Sequence, residues 1–390
     1  MNIDIDSELG EALQKDEEKL SHEIADHIAA KLRQKPVPAR RDAHPKAHGC
    51  VKAEFQVENN LGANLAQGIF APGTRYKAWI RFSNGNEDPT RPDAKRDARG
   101  MAIKLLEVPG EKILLKERNE LTQDFIMINY PAFFIDDPAN YLALLRAKDT
   151  LESLQEAHLR LDEEKRDSFL HVLHQKGLSG LGTLLDQGAR DLVTILKGIP
   201  ALSPAGVINF LKMSSSEIAS PFETTYWSMV PYRLGDPPQK QKIKFRAKPH
   251  LPKQAAVKPD NPSPNFLRET MIRQLEPGAG SRQFDFEIQV GAPAMEVENS
   301  IKEWEVDEAP FTKVATITIP EQVFATGPRD DFGERLSFTP WHALPQHRPL
   351  GAVNRVRRVV YDTISDLRSE LNFKAPRRPE PRASDPEMRT

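Results

Sequence analysis

A series of short strand-like segments between Val51 and Phe134 restricts the fold more than any other feature of the sequence. The segments read VKAEFQV, RYKAWIRF, GMAIKLLEV and DFIMINY, and turn-forming stretches such as NNLGAN separate them. The second segment alternates with a period of two between the sets Lys77, Trp79, Arg81 and Ala78, Ile80, Phe82. Such alternation is typical of an antiparallel sheet with one buried face. The run therefore predicts a curved or closed antiparallel sheet.

Helical segments precede and interrupt these strands. Residues 7–34 are rich in Glu, Lys, Ala and Leu, with apolar residues near helical spacing. They predict a helical N-terminal arm over residues 1–37 that serves in packing or oligomerisation. Residues 138–216 also have helical periodicity, and strands resume at FETTYWSMVPYRLG and continue to TKVATITIP. This order of strands, helices and strands predicts the α+β class instead of an alternating βαβ fold.

The same pattern gives the domain boundaries. We predict one domain over residues 38–372, with the helical segment 138–216 inserted into it. The segment 373–390 is charged and proline-rich, which predicts a disordered tail. The weakly charged stretch 177–213 is apolar enough for peripheral contact with a lipid surface. Helices that cover the sheet are the commoner arrangement and are the favoured interpretation.

Composition excludes several classes of partner. The chain has 54 basic and 56 acidic residues, so it lacks the excess of positive charge that favours nucleic acid. Its single cysteine, Cys50, rules out an intramolecular disulfide and suits a reducing compartment. The first residues, MNIDIDSELG, lack the pattern of a secretory signal, and no apolar run is long enough to span a bilayer. These features predict a cytoplasmic protein without a transmembrane segment.

Three segments place polar residues among apolar ones. In RRDAHPKAHGC, His44 stands just before a strand and Arg41 three residues before it. In RDARG, Arg96 comes directly ahead of a buried strand, and in DFIMINYPAFF, Asn129 interrupts an apolar run. An unpaired buried amide costs about 1–3 kcal/mol, so Asn129 needs a partner or a ligand. The sequence contains no phosphate-binding glycine loop, no HExxH motif and no cysteine pair for a metal.

Taken in this order, the segments resemble the heme catalases. RDAH is similar to the distal-histidine segment of the family, RDARG to its RDxRG segment, and NYPAFF to its NxPxFF segment. TTYWSMVPYRLGD followed by KIKFRAKP resembles the later barrel strands, and FGERLSFTPWHALPQHRPLG resembles the proximal helix. Each match alone is weak. Five matches in the family's order over residues 38–372 indicate common ancestry.

The resemblance implies an antiparallel eight-stranded β-barrel surrounded by helices, with heme b in a deep pocket. It implies that His44 shuttles a proton between the two oxygens of a bound peroxide. Asn129 would hydrogen-bond the oxygen on which charge develops. His48 is the rival of His44, and the spacing from the arginine favours His44. The residues implied to contact heme are Arg41 and Arg96, at the propionates, and Phe133 and Phe134, along the pocket.

The proximal side departs from the family pattern. In the catalases an arginine is followed four residues later by the tyrosine that ligates the heme iron. Arg335 matches this arginine, but Thr339 stands at the position of the tyrosine. A threonine is a poor iron ligand, so another side chain is needed. The alternatives are His342, which is the nearest candidate, His347 and Tyr361.

The sequence therefore predicts a heme-dependent enzyme that reacts with peroxides. Its substrate would be a small peroxide or a lipid hydroperoxide. The chain resembles a shorter, catalase-related branch, which includes peroxidases and enzymes that rearrange fatty-acid hydroperoxides. The alternative is a heme-free protein with the catalase fold that binds a lipid or another apolar small molecule. The helical arm and the resemblance also predict a homo-oligomer.

Overall fold

One antiparallel sheet of nine strands organises the described part of the chain, which in a computed structural model comprises residues 5–181, 192, 194–196, 201–376 and 379–389. The strands are β1 (Ala47–Val57), β2 (Arg75–Asn84), β3 (Arg99–Leu106), β4 (Thr122–Ile128), β5 (Tyr226–Trp227), β6 (Tyr232–Leu234), β7 (Gln241–Pro249), β8 (Arg282–Val290) and β9 (Phe311–Ile319). Their order is β5-β4-β3-β2-β1-β9-β8-β7-β6, and β5 also pairs with β7. That extra pairing closes eight strands into a barrel and leaves β6 attached to β7. The antiparallel eight-stranded barrel predicted from the sequence is confirmed.

Helices pack around this barrel. In the described residues they are α1 (Glu17–Gln34), α2 (Pro138–Arg146), α3 (Lys148–Arg160), α4 (Glu163–Gly180), α5 (Pro204–Ser214), α6 (Phe266–Leu275), α7 (Gly327–Arg335), α8 (Ala352–Phe373) and the short α9 (Pro386–Arg389). Helices α2 to α5 lie within the segment 138–216, and the division into a barrel domain with an inserted segment stays a prediction. The predicted α+β class is also confirmed.

Alternate side chains of the strands fill the barrel. The rings of Phe55, Phe125 and Phe286, from β1, β4 and β8, meet with centroids 4.8 to 6.2 Å apart. Such pairs contribute about 0.5–1.5 kcal/mol each beyond the burial of their area. Because side chains alternate along a strand, Arg81 and Ser83 of β2 face the outside of the barrel. Both are nevertheless buried, since other elements cover this part of the sheet.

The N-terminal helix α1 is one of these covering elements. It buries Ile24, Ile28 and Leu32, which are spaced four residues apart and so share one face of the helix. That face packs against α8 and α2, with Leu142 and Val356 among its contacts. The arm predicted from the sequence therefore contains a helix that packs on its own chain.

The inserted helices have an apolar cluster of their own. Leu154 of α3 and Phe169 of α4 are fully buried in it together with Leu211 of α5. The stretch 177–213, for which lipid contact was an alternative, lies partly outside the described residues. Its described end, α5, buries its apolar side chains within the chain. Among the described helices, none combines the length and the hydropathy that crossing a membrane requires.

The expectation of a disordered tail is not met for residues 379–389. Glu380 is 7% exposed and binds the ammonium group of Lys104, and Met388 packs with Trp79 and Leu106. The segment therefore lies on the outer face of the sheet. The composition of this segment predicts disorder because it contains no information about Lys104. This lysine is buried elsewhere in the chain and needs a counter-charge.

Lys104 forms the centre of a buried ion-pair network. It is the cross-strand partner of Asp124, and its Nζ lies 2.7 Å from Asp124 Oδ1 with both side chains fully buried. Burial opposes the charge on the amine, but Asp124 and Glu380 more than offset this effect and raise the pKa of Lys104. The ammonium group therefore stays charged and connects β3, β4 and the C-terminal segment.

Substituting Glu380→Gln should destabilise the fold. Lys104 would keep Asp124 but lose one of its counter-charges, and we expect the free energy of unfolding to fall by about 1–3 kcal/mol in urea unfolding. Glu54→Gln is the matched control, because Glu54 pairs with Arg75 at exposed positions, where a pair contributes at most about 1 kcal/mol. Equal effects of the two substitutions would contradict a buried role for Glu380.

Candidate active site

A cavity of about 320 Å³ lies between the outer face of β2, β3 and β4 and the helices α1, α2 and α8. Its volume is within the range of small-molecule and cofactor sites, roughly 300–1,000 Å³. Most of the wall is apolar and includes Ile28, Ile126, Val356, Val360 and Ile364. The polar groups come mainly from the loop before β1, from β2 and from α8.

His44 reaches the cavity from the loop before β1. Its φ of 58° is in the left-handed region, which costs a residue with a side chain about 1–3 kcal/mol. Arg81 Nη2 donates to the carbonyl of His44 at 2.8 Å, and His44 Nδ1 lies 3.1 Å from Ser83 Oγ. A Cβ atom at Gly100 would come within 2.6 Å of Nδ1, so a glycine leaves the space that the ring occupies. These contacts hold the strained histidine in one orientation.

The protonation state of His44 follows from its surroundings. Burial, and after it the charges of Arg81 and Arg357, lower the pKa of His44 to about 4. The imidazole is therefore neutral at pH 7. A neutral ring can accept a proton from a molecule bound in the cavity.

Tyr361 and Arg357 line the same cavity from α8, one helical turn apart. Arg357 Nη2 donates to Tyr361 Oη at 3.3 Å, and its Nη1 donates to Asn354 Oδ1 at 3.0 Å. Burial opposes the charge on Arg357, but Tyr361 and Tyr232 more than offset it and raise its pKa. The guanidinium group therefore stays charged beside the phenol oxygen of Tyr361.

Three further guanidinium groups gather at one end of the cavity around a single carboxylate. Glu334 lies 2.9 Å from Arg41, 2.7 Å from Arg368 and 4.0 Å from Arg81. Burial and the neighbouring charge of Arg41 lower the pKa of Arg81 to about 9 and that of Arg368 to about 10. Positive charge is thus in excess at this end, and an anionic group bound there would be stabilised.

Of the residues expected at the site, His44, Arg41 and Phe133 line the cavity. Asn129 does not, because its Oδ1 accepts the backbone N–H of Arg99 at 2.7 Å. The amide therefore has the partner that its burial requires, and that partner is the neighbouring strand. Its position next to β3 fixes the start of the NYPAFF loop.

The other residues expected to contact heme also lie outside the cavity lining. Arg96 pairs with Glu217 at 3.4 Å in a partly exposed position. Arg335 is exposed, and its guanidinium group stacks on the ring of Phe373 at 4.9 Å. The ring of Phe134 packs between those of Phe133 and Phe210.

His342 is not placed to ligate a group in the cavity. Its Nδ1 lies 2.8 Å from Asp124 and its Nε2 lies 2.9 Å from Glu117, so both ring nitrogens face carboxylates of the Lys104 network. Thr339 also belongs to this network, since its backbone N–H donates to Asp124 at 3.0 Å.

The remaining histidines of interest have structural partners. His347 Nε2 accepts the backbone N–H of Ile69 at 2.9 Å. His48, the rival of His44, lies 2.8 Å from Asn84 Oδ1 and does not line the cavity. Among the alternatives for an axial ligand, Tyr361 alone is a cavity residue in the described part of the chain.

The sequence, which offered Tyr361 only as an alternative to His342, contains a stronger signal for this tyrosine. Arg357 and Tyr361 have the same four-residue spacing that was sought at Arg335 and Thr339. The segment FGERLSFTP, which resembles the proximal segment of the family, precedes this pair in the chain. The amphipathic helix α8, which follows HRPLG, carries the arginine and the tyrosine on the face that packs toward the sheet.

The depressed pKa of His44 predicts a pH dependence of stability. Between pH 6.5 and about 4 the unfolded chain binds a proton at His44 that the folded chain does not. The stability due to this residue is complete above pH 6.5 and is lost as the pH falls towards 4. NMR titration of the ring, identified by comparison with His44→Gln, should show a neutral imidazole at about pH 5.5. A transition near pH 6.5 would contradict the burial of the ring.

Comparison with known proteins agrees with the barrel fold. The sequence profile of the catalase family matches residues 18–167. Among solved structures, catalase A from Saccharomyces cerevisiae is 18% identical with a TM-score of 0.56, and covers 89% of this chain. A fungal catalase is 16% identical over 89% of the chain with a TM-score of 0.54, and a bacterial catalase 14% identical over 91% with a TM-score of 0.53.

The chain covers 63% of the fungal catalase, 64% of the yeast enzyme and 63% of the bacterial catalase, so it spans less than two thirds of their length. No curated protein matches it in sequence. The identities are low enough that the structural likeness concerns the fold alone. Residues 18–167 therefore match the catalase family in sequence, and the described barrel has the catalase fold.

Proposed function

We propose that the protein binds heme b in the cavity between the sheet and α8 and reacts there with peroxides. The observation that carries this proposal is the meeting of three groups in one cavity. His44 comes from the sheet side, Tyr361 with its partner Arg357 comes from α8, and an arginine cluster lies at one end. A neutral histidine, a phenol beside a cation and an anion-binding end together fit a heme better than they fit a metal ion alone.

The arginine cluster supports the fit of a dicarboxylate cofactor. Arg41, Arg81 and Arg368 bring three positive charges, and Glu334 supplies one negative charge, which leaves an excess of two. Heme b carries two propionates. We infer that these guanidinium groups hold the propionates, while the apolar walls from α1 and α8 surround the macrocycle.

Tyr361 is the residue that we propose as axial ligand. Arg357, which donates a hydrogen bond to its hydroxyl oxygen, would compensate the negative charge that a phenolate brings to the iron. Heme, when bound, supplies the redox-active iron at which the O–O bond of a peroxide is cleaved.

His44 would transfer the proton in this reaction. As a neutral imidazole it can take the proton from one peroxide oxygen and return it to the other, which makes the departing oxygen a better leaving group. Ser83 contacts the ring, and Arg81 donates a hydrogen bond to the backbone carbonyl of His44. These contacts keep the ring in place, so it need not reorient between the two steps. Small peroxides and organic hydroperoxides both remain candidate substrates.

A second candidate function is storage or transport of an apolar molecule without heme. The apolar walls and the arginine cluster would also suit a lipid whose carboxylate pairs with Arg41 and Arg368. The visible spectrum of the purified protein separates the two proposals. An intense Soret band with near-stoichiometric heme supports the enzyme. A colourless protein after expression with a heme precursor supports the lipid-binding alternative and excludes the first.

Tyr361→Phe should abolish phenolate coordination, because the variant lacks the hydroxyl beside Arg357. We expect the charge-transfer bands of the ferric protein to change and heme affinity to fall. His342→Ala is the control, since that histidine is bonded within the Lys104 network. A spectrum that responds to His342→Ala and not to Tyr361→Phe would reject Tyr361 as the ligand.

His44→Ala should lower the rate of reaction with peroxide by at least ~100-fold while heme content is retained, as expected for the loss of a general acid–base group. Stopped-flow absorbance measures the rate, and the pyridine hemochrome measures the heme. His48→Ala serves as the comparison, because it also removes a buried histidine but not one that lines the cavity. Equal rate losses in the two variants would mean that His44 has no specific role.

A further inference from the structure

The N-terminal arm is joined to α8 by a buried arginine that the proposed chemistry does not use. Arg355 donates Nε and Nη2 to Glu17 at 2.6 and 2.9 Å, and Nη1 to Glu11 at 2.7 Å. Glu298 adds a third carboxylate at 3.0 Å, and the carbonyl of Ala12 accepts a further bond at 3.0 Å. One guanidinium group thus connects α8 with the segment before α1 and with the first turn of α1.

This connection is shielded from water. The side chains of Arg355, Glu11 and Glu17 are 1%, 0% and 2% exposed. Burial opposes the charge on Arg355, but Glu17 and Glu298 more than offset this and raise its pKa. Glu11 would keep Arg348 if the guanidinium were removed, but Glu17 would lose the arginine that balances its buried charge, and solvent would not compensate for this loss.

The arm is also part of the cavity wall. Ile28 of α1 lines the cavity and packs with Val356 of α8. Arg355 and Arg357 are two residues apart and therefore point to different sides of α8. Arg355 binds the arm, while Arg357 lines the cavity, so the contact with the arm limits rotation of the helix that presents Tyr361.

The arm continues directly into the loop that carries Arg41 and His44. Lys35, the residue after α1, pairs with Asp42 at 3.2 Å. Ala39 is held on both sides by Asn372 of α8, at 2.6 Å through its N–H and 2.9 Å through its carbonyl. A movement of α1 away from α8 would therefore open the wall at Ile28 and disturb the loop that orients His44.

We propose that Arg355 is a positioning residue that fastens the N-terminal arm as a cover over the cavity. In this way α1 of the same chain forms part of the cavity wall. That the occupant, the molecule bound in the cavity, is heme rests on the function proposed above. The covering of the cavity by the arm does not. Arg355 is not among the residues that line the cavity. Its effect is to retain the occupant and to keep the loop before β1 in place.

Hydrogen–deuterium exchange on the full-length protein as purified tests the cover directly. In Arg355→Gln we expect amides of residues 17–34 to exchange at least ~10-fold faster, with those of β8 and β9 unchanged. Arg246→Gln is the matched control, because Arg246 binds Glu287 on the barrel and stacks on Phe311, away from the arm. Unchanged exchange in α1 of Arg355→Gln, or an equal increase in the control, would overturn the proposal.

Loss of the occupant gives a second measurement that a merely stabilising residue would not affect. Transfer of heme to excess apomyoglobin should be at least ~10-fold faster in Arg355→Gln than in Arg246→Gln, and Arg355→Lys should restore part of the retention. If Arg355→Gln does not fold, the measurement uses Glu298→Gln instead. Glu298 is 21% exposed, and this substitution removes only one of the carboxylates that bind Arg355. Heme loss at the parental rate in a variant with a loosened arm would overturn the retaining role. A protein that takes up no heme would contradict the proposed function and leave the exchange result decisive for the cover.

Discussion

Glu334, at the end of α7, is the point at which four separate segments of the chain meet. It binds Arg41 from the loop before β1 and Arg368 from α8, and it lies 4.0 Å from Arg81 of β2. Burial would raise the pKa of Glu334, yet the three arginines lower it. The carboxylate in turn reduces the repulsion between guanidinium groups that would otherwise separate. The loop, the sheet and α8 keep their relative positions around this charge, and the shape of the cavity depends on those positions.

The candidate site could be predicted in part, and the reason lies in how its residues are spaced. Arg41 and His44 are neighbours in sequence, so one short motif was enough to find both. Arg81 was missed because outward positions of a strand usually face solvent, whereas here helices cover them. Tyr361 was named only as an alternative to His342, because it lies on a helix beyond the segment that resembled the family's proximal side. Asn129 was correctly recognised as a buried amide in need of a partner, but a neighbouring strand can satisfy an amide as well as a ligand can.

The fold was more accessible than the site, because period-two alternation persists wherever a strand buries one face. This signal predicted the sheet, and the family resemblance added its closure and the number of strands. The tail shows where such reasoning ends. Mean composition predicted disorder for 373–390, whereas one buried ion pair between Lys104 and Glu380 brings residues 379–389 onto the sheet. A contact of this kind joins positions that no local pattern connects.

The barrel closes through contacts between distant parts of the chain. β1 pairs with β9, and the hydrogen bond from Thr316 to Glu58 joins residues 258 positions apart. Contacts of such range form late in folding, because the entropy of closing the loop is lost before they contribute. Helix α8 follows β9 in the chain and presents Arg357 and Tyr361 to the sheet only once the barrel surface exists. A molecule that occupies this cavity therefore meets a barrel that is already built, and its binding stabilises the finished fold without serving as the nucleus from which the strands assemble.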